Sequence, residues 1–162
     1  MESTHQLSKH AHVIQELLSK HNLNTSVVEF PASTRTAQEA ATVIGCTVAE
    51  IAKSLIFKTA VTNRPILIIA SGVNRVNEKR IEALVQEKIV KADADFVKEI
   101  TGFAIGGVAP FGHTHKIGFI FIDPSLLQFN TVWAAAGTPN SVFNIPTATL
   151  INISSGTVTS IT

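Results

Sequence analysis

A nearly uninterrupted run of apolar residues at positions 65–70 limits the folds that this chain can adopt. A strand with apolar side chains on both faces must be covered on both faces, so it belongs in the middle of a sheet. Residues 54–59 have a similar β-rich composition, and the pair Asn63 and Arg64 lies in the turn between the two segments. We therefore predict that both segments are central strands of one sheet.

The remaining periodicity predicts a mixed arrangement of helices and strands. Apolar residues recur at helical spacing in residues 7–18, 37–44, 48–55, 74–88 and 94–100, and Thr47 and Glu50 are spaced as a capping box for the third of these segments. Strands are predicted at 26–30, 89–91, 116–123 and 131–136, with a closing hairpin across 155–156. Because helices and strands alternate early and strands follow one another late, we predict a mixed α/β (α+β) fold. Its sheet is curved, partly closed and mixed, with helices packed around it in a single domain over residues 1–162.

Composition excludes several classes of protein. The 162 residues are 45% hydrophobic and 15% charged, with a net charge of +1, so a broad face for duplex nucleic acid is not expected. Cys46 is the only cysteine, which excludes an intrachain disulfide and is typical of a cytoplasmic protein. We interpret Cys46 as a small buried thiol, and rapid alkylation with loss of activity would instead indicate a nucleophile. No apolar segment is long enough to cross a membrane, so no membrane partner is expected.

The segment 101–113 contains four glycines and a proline among apolar residues. Gly106 and Gly107 can adopt positive φ and bring their N–H groups close to a ligand, because they have no Cβ in the way. Pro110 fixes the end of the turn. Such a loop is either a binding site or an ordinary structural turn.

Other candidate groups leave alternatives open. The usual nucleophile-elbow, phosphate-loop and dinucleotide motifs are missing, so no cofactor is expected. His113 and His115 could both face a metal from an extended segment, but no further ligands accompany them, and two solvated histidines are the simpler interpretation. Lys53 lies where a predicted helix gives way to a buried strand, either as part of a site or as a lysine that covers the sheet edge.

Three motifs occur in order along the chain. Lys53 begins the sequence Lys-Ser-Leu-Ile-Phe before a hydrophobic strand, Gly102-Phe103 precedes Gly-Gly-Val-Ala-Pro-Phe-Gly at 106–112, and Ala136-Gly137 follows late. This combination resembles the YbaK family, relatives of the editing domain inserted in bacterial prolyl-tRNA synthetase, from about residue 35 onward. The resemblance implies an aminoacyl-tRNA deacylase that acts in trans and hydrolyses the ester between a wrongly attached amino acid and the tRNA 3′ end.

The same resemblance implies which residues form the site. Lys53 matches the family's invariant lysine, and it would pair with a phosphate or ribose oxygen of the tRNA end. The loop residues Gly106, Gly107, Val108, Ala109 and Pro110 match the family's Gly-x-x-x-Pro loop, whose N–H groups would hold the aminoacyl carbonyl. The remaining predicted substrate contacts are Phe30, Thr34, Ser54, Phe57, Phe111, Gly112, His113, Ala135, Gly137, Asn140 and Ser141. Many relatives have Ser at the position of Ala109 and a polar residue near Ala135, so the preferred amino acid is expected to differ.

An aminoacyl ester is already activated, so positioning, an oriented water and oxyanion stabilisation suffice without a serine or cysteine nucleophile. In the family that water is activated by the substrate's own hydroxyl. The implied partners are the acceptor end of a mischarged tRNA and an aminoacyl-tRNA synthetase, and the oligomeric state is left open. The alternative is a non-catalytic module that binds a tRNA end, a nucleotide or a protein in the same groove. A third option is hydrolysis of a small free ester.

Overall fold

The computed structural model describes residues 7–162, and within them the chain forms five α-helices and eight β-strands. The helices are α1 (Lys9–Lys20), α2 (Ala37–Ile44), α3 (Glu78–Val85), α4 (Ala94–Thr101) and α5 (Thr147–Ser154). The strands are β1 (Val28–Glu29), β2 (Ile51–Thr59), β3 (Pro65–Ser71), β4 (Ile89–Lys91), β5 (Phe119–Ile122), β6 (Thr131–Ala135), β7 (Ser141–Pro146) and β8 (Thr157–Val158). Short 3₁₀ turns lie at Val48–Glu50 and Pro124–Gln128.

All eight strands belong to one mixed sheet, in the order β1-β7-β6-β2-β3-β5-β8, with β4 attached to β2. β2 and β3 are antiparallel and lie in the middle of this order, whereas β2 with β6, β3 with β5 and β5 with β8 are parallel pairs. The predicted mixed α/β fold class and the central position of β2 and β3 are therefore confirmed. None of the helices in residues 7–162 has the length and apolar character needed to cross a membrane.

A gap in the sheet lies along one edge of β2. The opposite edge pairs continuously with β3 from Ala52 to Lys58. On the gap side, β6 pairs with Ile51 and Ala52 alone, and β4 pairs with residues 57–59. Over residues 53–56 no strand is paired to this edge, so the sheet is open between β6 and β4.

The sheet separates two main apolar clusters. The larger contains Ala52 and Ile56 of β2 together with buried residues of α1, α4 and the glycine-rich loop. The smaller contains Phe57 and the buried side of α3. Because successive side chains of a strand point to opposite faces, the residues between Ala52 and Ile56 alternate between these two sides. A third, small cluster joins α2 to Ile51.

Local capping fixes several boundaries where the sequence predicts them. Thr36 Oγ1 accepts a hydrogen bond from the Glu39 N–H at the start of α2, and Asp93 caps α4 through the Phe96 N–H. Gly102 adopts a left-handed conformation with φ +83° directly after α4 and ends it.

The predicted helix over 48–55 is wrong. The expected capping box at Thr47 and Glu50 is present, but it begins a three-residue 3₁₀ turn, after which Ile51 starts β2. Ile51 accepts a hydrogen bond from the Gly72 N–H and pairs with Trp133, which are contacts that sequence spacing does not reveal. Apolar residues on both faces of a short strand can mimic helical spacing.

The predicted ending of the chain is also wrong. Residues 155–156 do not form a hairpin, because Ser155 is the left-handed C-cap of α5 and β8 runs parallel to β5. β7 and α5 were not predicted. The predicted helix over 74–88 is shorter, since it begins after the Asn77 cap and ends at Gln86, which adopts a left-handed conformation.

Candidate functional site

A cavity of about 600 Å³ lies at this gap in the sheet, and residues of β2 and β6 line part of it. Residues of α2, of the turn before it and of the glycine-rich loop contribute to its lining. Residues of the larger core cluster line its inner part, namely Ala52, Ile56, Val97, Val108 and Ala134. Polar and basic residues that are exposed or partly exposed line its outer part, namely Arg35, Thr36, Gln38 and Lys53, and the buried Thr34 lies beside them in the chain. The cavity therefore combines an apolar interior with a positively charged entrance.

Lys53 is a partly buried cation in this cavity. Burial lowers its pKa below the ordinary value of a lysine, the positive charge of Arg75 lowers it further, and the Asp123 carboxylate raises it. Asp123 already accepts hydrogen bonds from the Ser71 N–H, the Asn74 side chain and the Ser125 N–H. Lys53 makes no ion pair with any residue of the described part of the chain. Its charge is thus available to an anionic ligand.

The loop between α4 and β5 contributes residues with free main-chain donors to the lining of the same cavity. Gly106 has φ +92°, a conformation that favours glycine, and it lies in the lining together with Val108. The Gly107 N–H is used within the turn, since it donates to the Ala104 carbonyl at 3.0 Å. Within residues 7–162, the N–H groups of Gly106 and Val108 donate to no protein acceptor.

Close packing holds this loop in place. A Cβ at Gly107 would lie 2.6 Å from the carbonyl carbon of Thr138, so only glycine fits there without moving backbone. Behind the loop, His113 Nε2 lies 2.8 Å from the Ala109 carbonyl oxygen, and its ring packs edge-on against Phe103. These contacts support the donors of Gly106 and Val108 from two sides.

The structure brings six of the predicted site residues into the cavity lining: Thr34, Lys53, Ser54, Gly106, Val108 and Ala135. The buried residues Gly107 and Ala109 lie next to that lining in the chain. A separate cavity of about 250 Å³ is lined by Pro110, Phe111, Gly112 and His113.

The other predicted residues lie outside the cavity lining. Asn140 exchanges two hydrogen bonds with Phe30, and the Ser141 hydroxyl bonds to Thr138, so this segment supports the turn that carries Thr34. Gly137 packs against the Phe103 ring. Phe57 is buried in the smaller core cluster, on the side of the sheet opposite that of Ile56.

Sequence reasoning missed several residues of the cavity. Arg35 lies across Gly106, where an added Cβ would be 2.9 Å from Arg35 Nε, and Trp133 of β6 lines the outer part. Gln38 and Val97 complete the walls next to them. Arg35 stands in a polar turn just before a capped helix, which is a signal that could have drawn attention to it, whereas Trp133 is recognisable as the chain's single tryptophan.

Comparison with known proteins places this architecture in a family. The aminoacyl-tRNA editing domain family matches residues 31–153, a range that contains both Lys53 and the glycine-rich loop. The chain belongs to this family. It is 36% identical over 124 residues to the uncharacterized protein YwhH of Bacillus subtilis (strain 168), across 76% of this chain and 78% of that protein.

Two solved structures have the same fold. One is the crystal structure of a proposed trans-editing enzyme for prolyl-tRNA synthetase. Its alignment with this chain has a TM-score of 0.88 and 38% identity, and it covers 96% of this chain and 98% of that one. The other is the hypothetical protein APE2540, with a TM-score of 0.83 and 25% identity over 92% of this chain and 98% of that one.

The wall of the editing-domain cavity suits the hydrolysis of an activated ester. Among the described residues that line it, none is a histidine, cysteine, aspartate or glutamate. The groups that it does supply include two cations, Arg35 and Lys53, and main-chain donors, which stabilise developing negative charge without forming a covalent intermediate. His113 and His115 do not combine into a metal site, and no cluster of three metal-ligating side chains occurs in residues 7–162.

His113 makes the stability of the editing domain depend on pH. Burial lowers the pKa of His113 below its ordinary value of 6.5, while the contact with the Ala109 carbonyl acts in the opposite direction. The unfolded chain therefore takes up a proton at His113 before the folded chain does. We expect the free energy of unfolding to fall as the pH is lowered from about 6.5 toward the folded-state pKa.

Denaturant unfolding at pH 7.5 and 5.5 would measure this dependence. His113→Gln should flatten it, because glutamine keeps a donor but does not titrate. His115→Gln is the matched control, since His115 is exposed and should leave the wild-type dependence in place. His10, whose pKa is also lowered mainly by burial, accounts for a remaining part of the slope. Identical pH dependence in wild type and His113→Gln would contradict the assignment.

Proposed function

We propose that this protein hydrolyses the aminoacyl ester of a mischarged tRNA in trans. The observation that carries the proposal is that Lys53, Gly106 and Val108 line one cavity in an aminoacyl-tRNA editing domain, and that the two loop N–H groups have no protein acceptor within residues 7–162. The similarity to a proposed trans-editing enzyme for prolyl-tRNA synthetase supports the same activity.

In this proposal, the aminoacyl group enters the apolar inner part of the cavity and the tRNA end stays at the charged entrance. The N–H groups of Gly106 and Val108 donate to the ester carbonyl, and they donate more strongly as the carbonyl oxygen becomes negative. One such donor typically contributes about 3 kcal/mol to transition-state stabilisation. Because Gly107 already donates to Ala104, it positions the turn instead of binding the substrate.

Lys53 would contact a phosphate or ribose oxygen of the terminal nucleotide. An ammonium that makes no direct ion pair in the protein gains most from an anionic ligand when the ligand displaces water around it. The N-terminus of α2 lies at the same entrance and adds a favourable dipole for a phosphate. A water oriented by the substrate's own hydroxyl would attack the carbonyl carbon, the bond from that carbon to the ribose oxygen would break, and a proton of the water would pass to the ribose oxygen. This agrees with a lining that holds no carboxylate or histidine base.

The proposal is tested by incubating the purified protein with a panel of correctly and incorrectly charged tRNAs and measuring the release of each amino acid. We expect release from at least one mischarged tRNA well above the protein-free rate, while correctly charged tRNAs remain intact. Tight binding of the charged tRNA end without release would instead indicate a non-catalytic module. Equal hydrolysis of the corresponding amino acid ethyl ester would indicate a hydrolase of small esters.

A further inference from the structure

Ser54 is a residue of the cavity lining that carries an unpaired polar side chain. Its hydroxyl oxygen is buried and has no hydrogen-bond partner, and it is the only such side-chain atom found among residues 7–162. Leaving a buried hydroxyl unpaired destabilises the folded protein, because the hydroxyl has lost its hydrogen bonds to water. A group in this state within a cavity points to a ligand that completes its hydrogen bonds.

The main-chain N–H and C=O of Ser54 also lack a partner in the sheet. The Ile56 carbonyl accepts a hydrogen bond from Ala92 on the gap side of β2, and the Ile69 carbonyl opposite Ser54 turns away to accept from Asp123. Peptide groups alternate in direction along a strand, so the N–H and C=O of Ser54 point into the gap. The pairing with β6 ends at Ala52, two residues earlier, which leaves Ser54 facing no strand.

The main-chain N–H and C=O of Ser54 form a donor and acceptor pair with the spacing found in any strand residue. An aminoacyl ester carries an α-amino donor and a carbonyl acceptor on the two sides of one Cα, as a strand residue does. Added strands are commonly recognised through such paired main-chain hydrogen bonds. We propose that the aminoacyl group docks in the gap as a one-residue strand against Ser54.

In this arrangement the α-amino group donates to the Ser54 carbonyl and to its Oγ, and the ester carbonyl accepts from the Ser54 N–H. The carbonyl oxygen has two acceptor positions, so it also accepts from the loop donors of Gly106 or Val108. Ser54 and the loop then hold the reacting carbonyl from two separate elements. This docking rests on the proposed deacylase function and specifies that the substrate must carry a free α-amino group.

The test compares alanyl and propionyl groups, which differ only in the α-amino group. Both acyl groups are attached to the same tRNA. Because the amine makes the alanyl ester intrinsically more reactive, the kcat/KM of each ester is divided by the rate of hydroxide-catalysed hydrolysis of that ester. We expect the wild type to prefer alanyl by about 100-fold, because hydrogen bonds to a charged group are typically worth about 10- to 100-fold each. Ser54→Ala should reduce hydrolysis of alanyl-tRNA by about 10-fold and leave propionyl-tRNA unchanged.

Ser154→Ala is the matched control, because it removes another part-buried hydroxyl, one that donates to the Ile151 carbonyl outside this cavity. Ser54→Ala should not lower the melting temperature, since it removes an unpaired hydroxyl, whereas a structural serine would lower it. An equal proportional loss for both acyl groups in Ser54→Ala, or no preference for alanyl in the wild type, would overturn the docking.

A binding measurement separates this inference from the proposed function. Adenosine carrying a 3′-alanylamino or 3′-propionylamino group presents the same acyl groups through an amide that is not hydrolysed. Preference for the alanyl compound that depends on Ser54, without hydrolysis of any charged tRNA, would retain the docking and reject the deacylase. Hydrolysis of alanyl-tRNA with equal affinity for both compounds would retain the deacylase and reject the docking.

Discussion

Lys53→Ala is expected to reduce hydrolysis of the preferred mischarged tRNA by about 100-fold or more, since one well-placed electrostatic group commonly supplies that much. Lys53 is the basic residue on β2 at the sheet gap, and no protein anion within residues 7–162 forms an ion pair with it. Its removal leaves the phosphate or ribose oxygen of the substrate without its cation. The fold should survive, because alanine replaces a partly buried charge that lies near another cation, Arg75.

The measurement is single-turnover deacylation, accompanied by denaturant unfolding to establish that the variant is folded. Lys91→Ala is the control, because Lys91 is exposed on β4 and outside the cavity. Lys53→Arg keeps the charge but replaces a point charge by a larger planar group, so an intermediate rate is expected. Wild-type hydrolysis by a folded Lys53→Ala protein would reject the role of this lysine and favour a cavity that binds without catalysing.

The pKa of Lys53 bears on the same role. Burial and Arg75 lower it below the ordinary value of a lysine. Lys53 should therefore lose its proton at a lower pH than an exposed lysine does, and charge-dependent binding of a phosphate should weaken at that lower pH. Shifted pKa values of this kind are enriched at functional sites.

Sequence patterns predicted the parts of the fold that local interactions determine. α2 and α4 lie where helical spacing predicts them, and β3 lies at the apolar run. The predicted helix over 48–55 failed because its apolar residues serve two faces of a strand, and the choice between these structures depends on pairing with β3 and β6. Long-range pairing has no signature in the spacing of one segment.

The end of the chain shows a second limit. α5 consists largely of threonine, isoleucine and other residues that occur equally in strands, so its sequence has no clear helical periodicity. Its position is fixed by tertiary contacts, including a hydrogen bond from the Thr147 hydroxyl to the Phe129 carbonyl. Local composition could not reveal such a contact.

The candidate site also has parts that the sequence reveals and a part that it does not. Lys53 and the glycine-rich loop are visible in the sequence through their motifs, and the structure brings Lys53 and Gly106 into one cavity. The sheet gap is not visible, because it depends on where β6 and β4 end against β2. Hence the predictions located the loop and the lysine but not the unpaired main chain of Ser54 between them.

Gly107→Ala is expected to reduce deacylation by about 100-fold, because displacing the reacting groups by about 1 Å can have that effect. The added Cβ would lie 2.6 Å from the carbonyl carbon of Thr138 and 2.9 Å from its Cα, which are backbone atoms that cannot rotate away. The loop must therefore move, and the N–H groups of Gly106 and Val108 move with it. The overpacking should also lower the free energy of unfolding by about 1–3 kcal/mol.

Gly118→Ala is the matched control for this variant. Its Cβ would meet no atom within 4 Å and Gly118 lies outside the cavity lining, so both its activity and its stability should stay near those of the wild type. Rates are compared well below the melting temperature of each variant, per folded molecule, so that a loss of loop geometry is distinguished from a loss of folded protein. If Gly107→Ala is destabilised but hydrolyses its substrate at the wild-type rate, the loop donors do not act on the carbonyl. The chemistry would then have to rest on Lys53 and the strand edge, because these are the remaining polar groups that β2 presents to the cavity.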